Sequence, residues 1–141
     1  MNFFVVDILT PSKTLLKNCP AESLIVPTKE GQITVLPHHT HYIGQLETGI
    51  LSVFGGSDDP DHHFTVTTGA IKILENKVTI LSDVAEPSAS IDKERAIRSL
   101  ERALEKLFDT SGLSLEEIEK FQRKIERAKL RLQILETYSK K

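Results

Sequence analysis

Ala70-Ile71-Lys72-Ile73-Leu74-Glu75-Asn76-Lys77-Val78-Thr79-Ile80-Leu81 is the stretch from which the fold is read. Ile71 and Ile73 alternate with Lys72, and Val78 and Ile80 alternate with Thr79. A period of two sends one side of each run into an apolar core and the other into water. Two such runs joined at Glu75-Asn76-Lys77 predict neighbouring strands of an antiparallel sheet. Upstream the pattern recurs. Phe4-Val5-Val6-Asp7-Ile8-Leu9 runs into the turn Thr10-Pro11-Ser12-Lys13, and Leu24-Ile25-Val26 and Ile33-Thr34-Val35-Leu36 flank Thr28-Lys29-Glu30-Gly31. Ile50-Leu51-Ser52-Val53-Phe54 and Phe64-Thr65-Val66-Thr67 follow, before and beyond the acidic loop Gly55-Gly56-Ser57-Asp58-Asp59-Pro60-Asp61. Short β-favouring runs, punctuated roughly every eight to twelve residues and with no helix between them, predict a sandwich or barrel.

Downstream of Pro87-Ser88-Ala89 the period changes to that of a helix. Ser90 is the expected N-cap, with Asp92 and Glu94 in the first turn, where the helix dipole favours carboxylates. Ile97, Leu100, Leu104, Leu107 and Phe108 follow at helical spacing, and Asp109-Thr110-Ser111-Gly112 breaks the helix. Ser114 with Glu117 forms a capping box for a second helix, and Leu113 with Ile118 can staple it. Ile118, Phe121, Ile125, Ala128, Leu132 and Leu135 then form a narrow stripe suited to a partner helix. A short connection makes the two helices antiparallel neighbours. The chain thus divides into a β unit over residues 1–86 and a helix-loop-helix unit over residues 87–141.

The 141 residues, 39% hydrophobic and 27% charged, suit a folded domain with an appendage. The net charge of −2 conceals an asymmetry. Residues 1–86 carry five lysines against ten carboxylates, a net −5, whereas residues 87–141 carry thirteen Lys/Arg against ten Asp/Glu, a net +3. A +3 spread over two helices is too weak for a nucleic-acid footprint. The polar helix faces mix Glu with Lys and Arg, which fits a membrane-surface helix poorly. No signal peptide or membrane span is expected, because the apolar start is short and lacks a basic flank. Cys19 stands alone, so a reducing compartment and a buried or edge thiol are the expectation.

Candidate chemistry is sparse in the β unit. His38, His39, His41, His62 and His63 are its histidines. His39-Thr40-His41 with Glu47 downstream invites comparison with a cupin metal site. The carboxylate position falls instead on Gln45 or Leu46, and no histidine follows residue 63, so no metal is expected. Serine-nucleophile elbows, phosphate loops and paired-carboxylate motifs are absent, and no catalytic residue is assigned. The helical unit is more specific. Asp92 and Arg95 share the first turn, while Arg123, Arg127 and Arg131 repeat every fourth residue beside the apolar stripe. Antiparallel pairing would bring Arg127 and Arg131 back towards Arg95. Converging guanidinium groups repel one another unless an anion lies between them, and their planar forks suit phosphate oxygens.

With these residues in hand, the whole chain resembles the epsilon subunit family of bacterial F-type ATP synthases. Glu30-Gly31-Gln32-Ile33-Thr34-Val35-Leu36-Pro37-His38-His39 is similar to that family's G-E-L-G-I-L-P-G-H turn and strand. Thr68-Gly69-Ala70-Ile71 and Lys77-Val78-Thr79-Ile80-Leu81 leading to Ala85-Glu86 also match. Ile91-Asp92-x-x-Arg95-Ala96 resembles the I/L-D-x-x-R-A element of ATP-binding members, and Arg127-Ala128-Lys129-Leu130-Arg131-Leu132 resembles their R-A-x-x-R-L. Gln32, Thr34 and His38 depart from the family's Glu, Gly and Gly.

The resemblance implies a sandwich of about ten antiparallel strands followed by an antiparallel two-helix hairpin. It implies a non-catalytic rotor subunit, docked through the sandwich on the gamma subunit and the c-ring, and peripheral on the cytoplasmic face of the inner membrane. It implies a movable hairpin that reaches the catalytic alpha and beta subunits when extended and then blocks ATP hydrolysis. It implies that no cofactor is required and that ATP is a candidate regulatory ligand, with Arg95, Arg127 and Arg131 as candidates for its phosphates and Glu86, Ile91 and Asp92 for framing the base or ordering the turn. Two rivals stand beside this reading: a metal-dependent β-sandwich enzyme built on His38, His39 and His41, and an adaptor with a fixed coiled-coil hairpin and no nucleotide role.

Overall fold

In a computed structural model the described residues are 3–56, 59–109 and 111–137. Met1, Asn2, Ser57 and Asp58 of the acidic loop, Thr110 of the helix break, and residues 138–141 lie outside them. The chain forms two compact units, the first ending at Pro87 and the second beginning at Ser88.

The first unit is a ten-stranded sheet among the described residues. Its strands are β1 (Phe4–Leu9), β2 (Thr14–Ala21), β3 (Ser23–Thr28), β4 (Gly31–Val35), β5 (Tyr42–Leu46), β6 (Gly49–Phe54), β7 (His62–Val66), β8 (Gly69–Leu74), β9 (Lys77–Ser82) and β10 (Ala85–Pro87). The spatial order is β10-β7-β6-β3-β5-β8-β9-β1-β2, with β4 paired to β3 off this path. Alternation works as expected: on β8, Ile71 and Ile73 are buried while Ala70, Lys72 and Leu74 are exposed. Because the sheet curls, its buried side closes on itself in one core, to which Phe4, Ile8, Leu24, Leu51, Phe64, Ile71 and Ile80 all contribute. Burying such side chains is worth about 1.5–3 kcal/mol each before the entropy of ordering the chain is counted.

The pairings are antiparallel except one. β1 runs parallel to β9, with Val6 opposite Val78 and Ile8 opposite Ile80. A parallel neighbour cannot follow directly in sequence, so the intervening strands form the connection. On its other side β1 pairs with β2 through a bulge, where the register shifts between Val6 and Ile8. At the far end of β8, Gly69 lies hard against β9: a Cβ there would fall 1.9 Å from the Leu81 carbonyl oxygen.

The second unit is a 3₁₀ turn (Ser88–Ser90) followed by α1 (Lys93–Phe108) and α2 (Leu115–Thr137), packed on each other. The capping box forms as expected: Ser114 N–H donates to Glu117 Oε1 (2.9 Å) and Glu117 N–H to Ser114 Oγ (3.1 Å). The cap of α1 does not. Ser90 ends the 3₁₀ turn, where Ile91 N–H donates to the Ser88 carbonyl (3.2 Å). Asp92 takes the N-cap in an extended conformation, and its carboxylate accepts the Arg95 N–H (3.2 Å). A carboxylate at the N-terminus satisfies the orphan donor and faces the positive end of the dipole, so it displaces the serine.

The seam also departs from the expected stripe. Leu104 and Phe108 are 48% and 94% exposed, whereas Ala96 and Ala103 are buried. Ile97, Leu100 and Leu107 of the expected stripe are half-buried, so the α1 side of the seam is shared between them and the two small buried side chains. On α2, Ala128 and Ile134 are fully buried, with Ile118, Phe121, Ile125, Leu132 and Leu135 half-buried around them. No described helix is long and apolar enough to cross a membrane.

Candidate functional site

Chemistry-bearing groups collect at one place in each unit. In the β unit that place is the end of the sheet where β8 turns into β9. Glu75 and Asn76 both adopt positive φ, 52° and 61°, the two-residue turn whose twist matches that of the strands it joins. The Asn76 carbonyl accepts the Val5 N–H (3.1 Å), and its Oδ1 accepts the His38 N–H (2.7 Å). The neighbouring Lys77 Nζ donates to Asn18 Oδ1 (2.8 Å) and lies 3.3 Å from the Asp7 carboxylate. Asp7 also accepts the Asn18 N–H (2.7 Å) and pairs with Lys17 (3.4 Å). Burial pushes its carboxyl upward, but the Asn18 N–H, the Lys77 bond and the two ammonium charges outweigh that. The group is held below its ordinary 3.8.

Around this hub lie exposed apolar side chains. β5 pairs with β8 so that Tyr42 opposes Ile73 and Ile43 opposes Lys72. That register leaves Ile43 on the outer face, 78% exposed, with Leu36 at 55% and Leu74 at 42%. Exposed apolar side chains gathered at one end of a sheet are how interaction surfaces present themselves. The turn at 36–41 carries His38 at φ 65°, a left-handed conformation uncommon for a residue with a side chain. His39 Nδ1 lies 2.7 Å from the Thr40 carbonyl, and its ring meets Tyr42 edge-on.

His62 and His63 stand apart on β7, where His63 Nδ1 lies 2.9 Å from Ser52 Oγ. Among the described residues no group of three or more His, Cys, Asp or Glu side chains is placed to hold a metal. Cys19 is half-buried on β2. Burial, and then the Asp59 charge, push its thiol up, away from the thiolate a nucleophile needs.

In the helical unit Asp92 caps α1, Ile91 is half-buried just before it, and Arg95 is exposed in the first turn. Arg127 and Arg131 sit one turn apart on α2, half-buried on either side of buried Ala128. The 3₁₀ turn packs against α2, so antiparallel pairing sets the start of α1 beside the helix that carries both arginines. Glu86 belongs to the other unit, on β10, where its Oε1 accepts the Thr65 hydroxyl (3.3 Å).

Residues 3–88 match the sequence profile of the family described as ATP synthase, delta/epsilon chain, β-sandwich domain. The chain belongs to the ATP synthase epsilon-chain family. An ATP synthase epsilon chain from Symbiobacterium thermophilum is 34% identical over 104 residues, covering 74% of this chain and 73% of that relative. One from Persephonella marina is 32% identical over 131 residues, covering 93% and 95%. Among solved structures, a chain of the Euglena gracilis mitochondrial ATP synthase superposes with a TM-score of 0.68. It is 22% identical, with 95% of this chain and 78% of that one covered. That likeness shows the shared fold.

Epsilon chains are non-catalytic ATP synthase subunits, and this one is read accordingly. The left-handed backbone at His38 is held by the Asn76 carboxamide, which takes the His38 N–H. The hub of Asp7, Asn18, Asn76 and Lys77 was not singled out from sequence. Its signals were a lone carboxylate inside the apolar run Phe4-Val5-Val6-Asp7-Ile8-Leu9, and an asparagine at a turn, where left-handed φ is tolerated. Nothing in the sequence marked Ile43 as outward-facing.

Proposed function

We propose that the chain is a central-stalk subunit that couples the catalytic head of an F-type ATP synthase to the c-ring. In this reading it works at the cytoplasmic face of the membrane. The sheet end carrying Leu36, Ile43 and Leu74 docks on the gamma subunit and the c-ring. The observation that carries the docking reading is the exposure of Ile43 on β5, with Leu36 and Leu74 also exposed, in a chain of this family. An apolar side chain on a strand and facing out gains by being covered, at about 25 cal/mol per Å².

The helical hairpin is the regulatory part in this reading. It alternates between a folded arrangement and one extended along gamma towards the alpha and beta subunits, where it blocks ATP hydrolysis. ATP biases the choice by binding the folded form, with Arg95, Arg127 and Arg131 at the phosphates and Glu86, Ile91 and Asp92 framing the base. Support comes from the hairpin being a compact unit of its own from Ser88, and from Arg127 and Arg131 standing one turn apart on the helix that packs beside the Asp92 cap. At about ten times its dissociation constant, ATP would favour the folded form by about 1.4 kcal/mol, near tenfold in population. Calorimetric titration of the full chain with ATP tests this. Binding that disappears in an Arg127→Ala, Arg131→Ala variant is expected, and no heat at millimolar ATP would sink the nucleotide role.

A further inference from the structure

We propose that Asn76 is a positioning residue, whose carboxamide holds the turn at 36–41 in the shape in which it docks; this rests on the docking reading above. The non-glycine residues with positive φ among those described are Asn18, His38, Glu75 and Asn76. Residues 76 and 77 bind them together: Asn76 Oδ1 takes the His38 N–H at 2.7 Å, and Lys77 Nζ reaches Asn18 Oδ1 at 2.8 Å. The Asn76 carbonyl takes the Val5 N–H as well, so three separate chain segments meet at one turn. Left-handed backbone in a residue with a side chain is costly and persists only where its surroundings over-determine it. Here that backbone collects beside exposed Leu36 and Leu74, at the end of the unit that bears Ile43. Asparagine suits the position twice over. It tolerates the left-handed turn itself, and its short arm ends in an acceptor that a loop N–H can reach.

Losing the Asn76 bond to the His38 N–H loosens the turn, which then samples more often conformations in which Leu36 no longer stands in the docking plane. The binding-competent population then falls, and with it the rate of association. Full-length variants are rebound to ATP synthase from which this chain has been stripped, and the association rate is followed. In parallel, hydrogen exchange at His38 is followed in the unbound chain. Asn76→Gly keeps the turn's φ but removes the acceptor, whereas Asn76→Asp keeps an acceptor. The expected result is faster exchange at His38 and association slowed by roughly three- to tenfold in Asn76→Gly, the scale of one net hydrogen bond. Asn76→Asp should restore both, which a loss of general stability would not allow. Wild-type association by Asn76→Gly, when an Ile43→Ser variant rebinds more weakly, overturns the positioning role. Wild-type rebinding by Ile43→Ser overturns the docking reading and this inference with it.

Discussion

Replacing Asp7 by Asn tests the hub through the stability of the β unit. The substitution keeps the shape and an acceptor oxygen but removes the charge. In the wild type the carboxylate accepts the Asn18 N–H at 2.7 Å and faces two ammonium groups at 3.3 and 3.4 Å, while its own side chain is 6% exposed. A hydrogen bond to a charged acceptor contributes about 1.5–3 kcal/mol and a neutral one about 0.5–1.5, so that bond alone loses about 1 kcal/mol. The lysines are partly solvated and add about 0–1 kcal/mol together. A total loss of about 1–2 kcal/mol follows, read as a lower urea midpoint with unchanged slope at neutral pH. The pH dependence supplies a second readout. The folded pKa of Asp7 lies below 3.8, so its stabilisation is fully present above that value and fades as pH falls through the folded pKa. Wild type and variant should therefore differ at pH 7 and converge in strong acid. A variant within 0.5 kcal/mol of wild type at pH 7, or a gap that persists unchanged in strong acid, would refute the assignment.

Three further outcomes are expected. Gly69→Ala places a methyl group where the Leu81 carbonyl oxygen lies 1.9 Å away, so the start of the β8–β9 ladder must part. About 2–4 kcal/mol should be lost by chemical denaturation, and amide exchange should quicken at Gly69 and Leu81. Ala103→Leu overfills the hairpin seam at a buried alanine and should cost about 1–3 kcal/mol, seen as a lower thermal midpoint in the helical circular-dichroism signal. His38→Gly removes a side chain from a left-handed position and gives back entropy in the unfolded chain, so the two effects nearly cancel. The expected change is within about 1 kcal/mol by thermal unfolding, whereas His38→Val should lose clearly more than that.

The strands that the sequence made plain are those whose burial follows a strict two-residue period, as in β8 and β9. Three others are silent for physical reasons. β2 is an edge strand whose Asn18 and Pro20 break the pattern, since an edge needs partners on one side only. β5 keeps a glycine at its centre and exposes Ile43 where a polar residue is the rule, and β10 has three residues and ends in proline. The parallel pairing of β1 with β9 is a long-range fact that no local window contains. In the hairpin, the capping box was legible because it is a bond between neighbours in sequence. The seam was legible in part: the α2 stripe from Ile118 to Leu135, Ala128 included, is buried or half-buried, whereas Ala96 and Ala103 of α1 did not stand out because a lone small side chain carries little apolar signal. The arginines proposed for ATP are visible as a spacing, but Glu86 stands out by resemblance alone.

The pairing of β1 with β9 sets an order of events during synthesis. Val5 leaves the ribosome early, yet its parallel partner Lys77 is made only after most of the unit has emerged. Until then the apolar face of Phe4, Val6 and Ile8 has no neighbour on that side. Contacts so distant in sequence are slow to close and expose the nascent chain to aggregation. The helical hairpin, built from near neighbours, is under no such constraint. The cell therefore has reason to shelter the first strand of this chain until its ninth arrives.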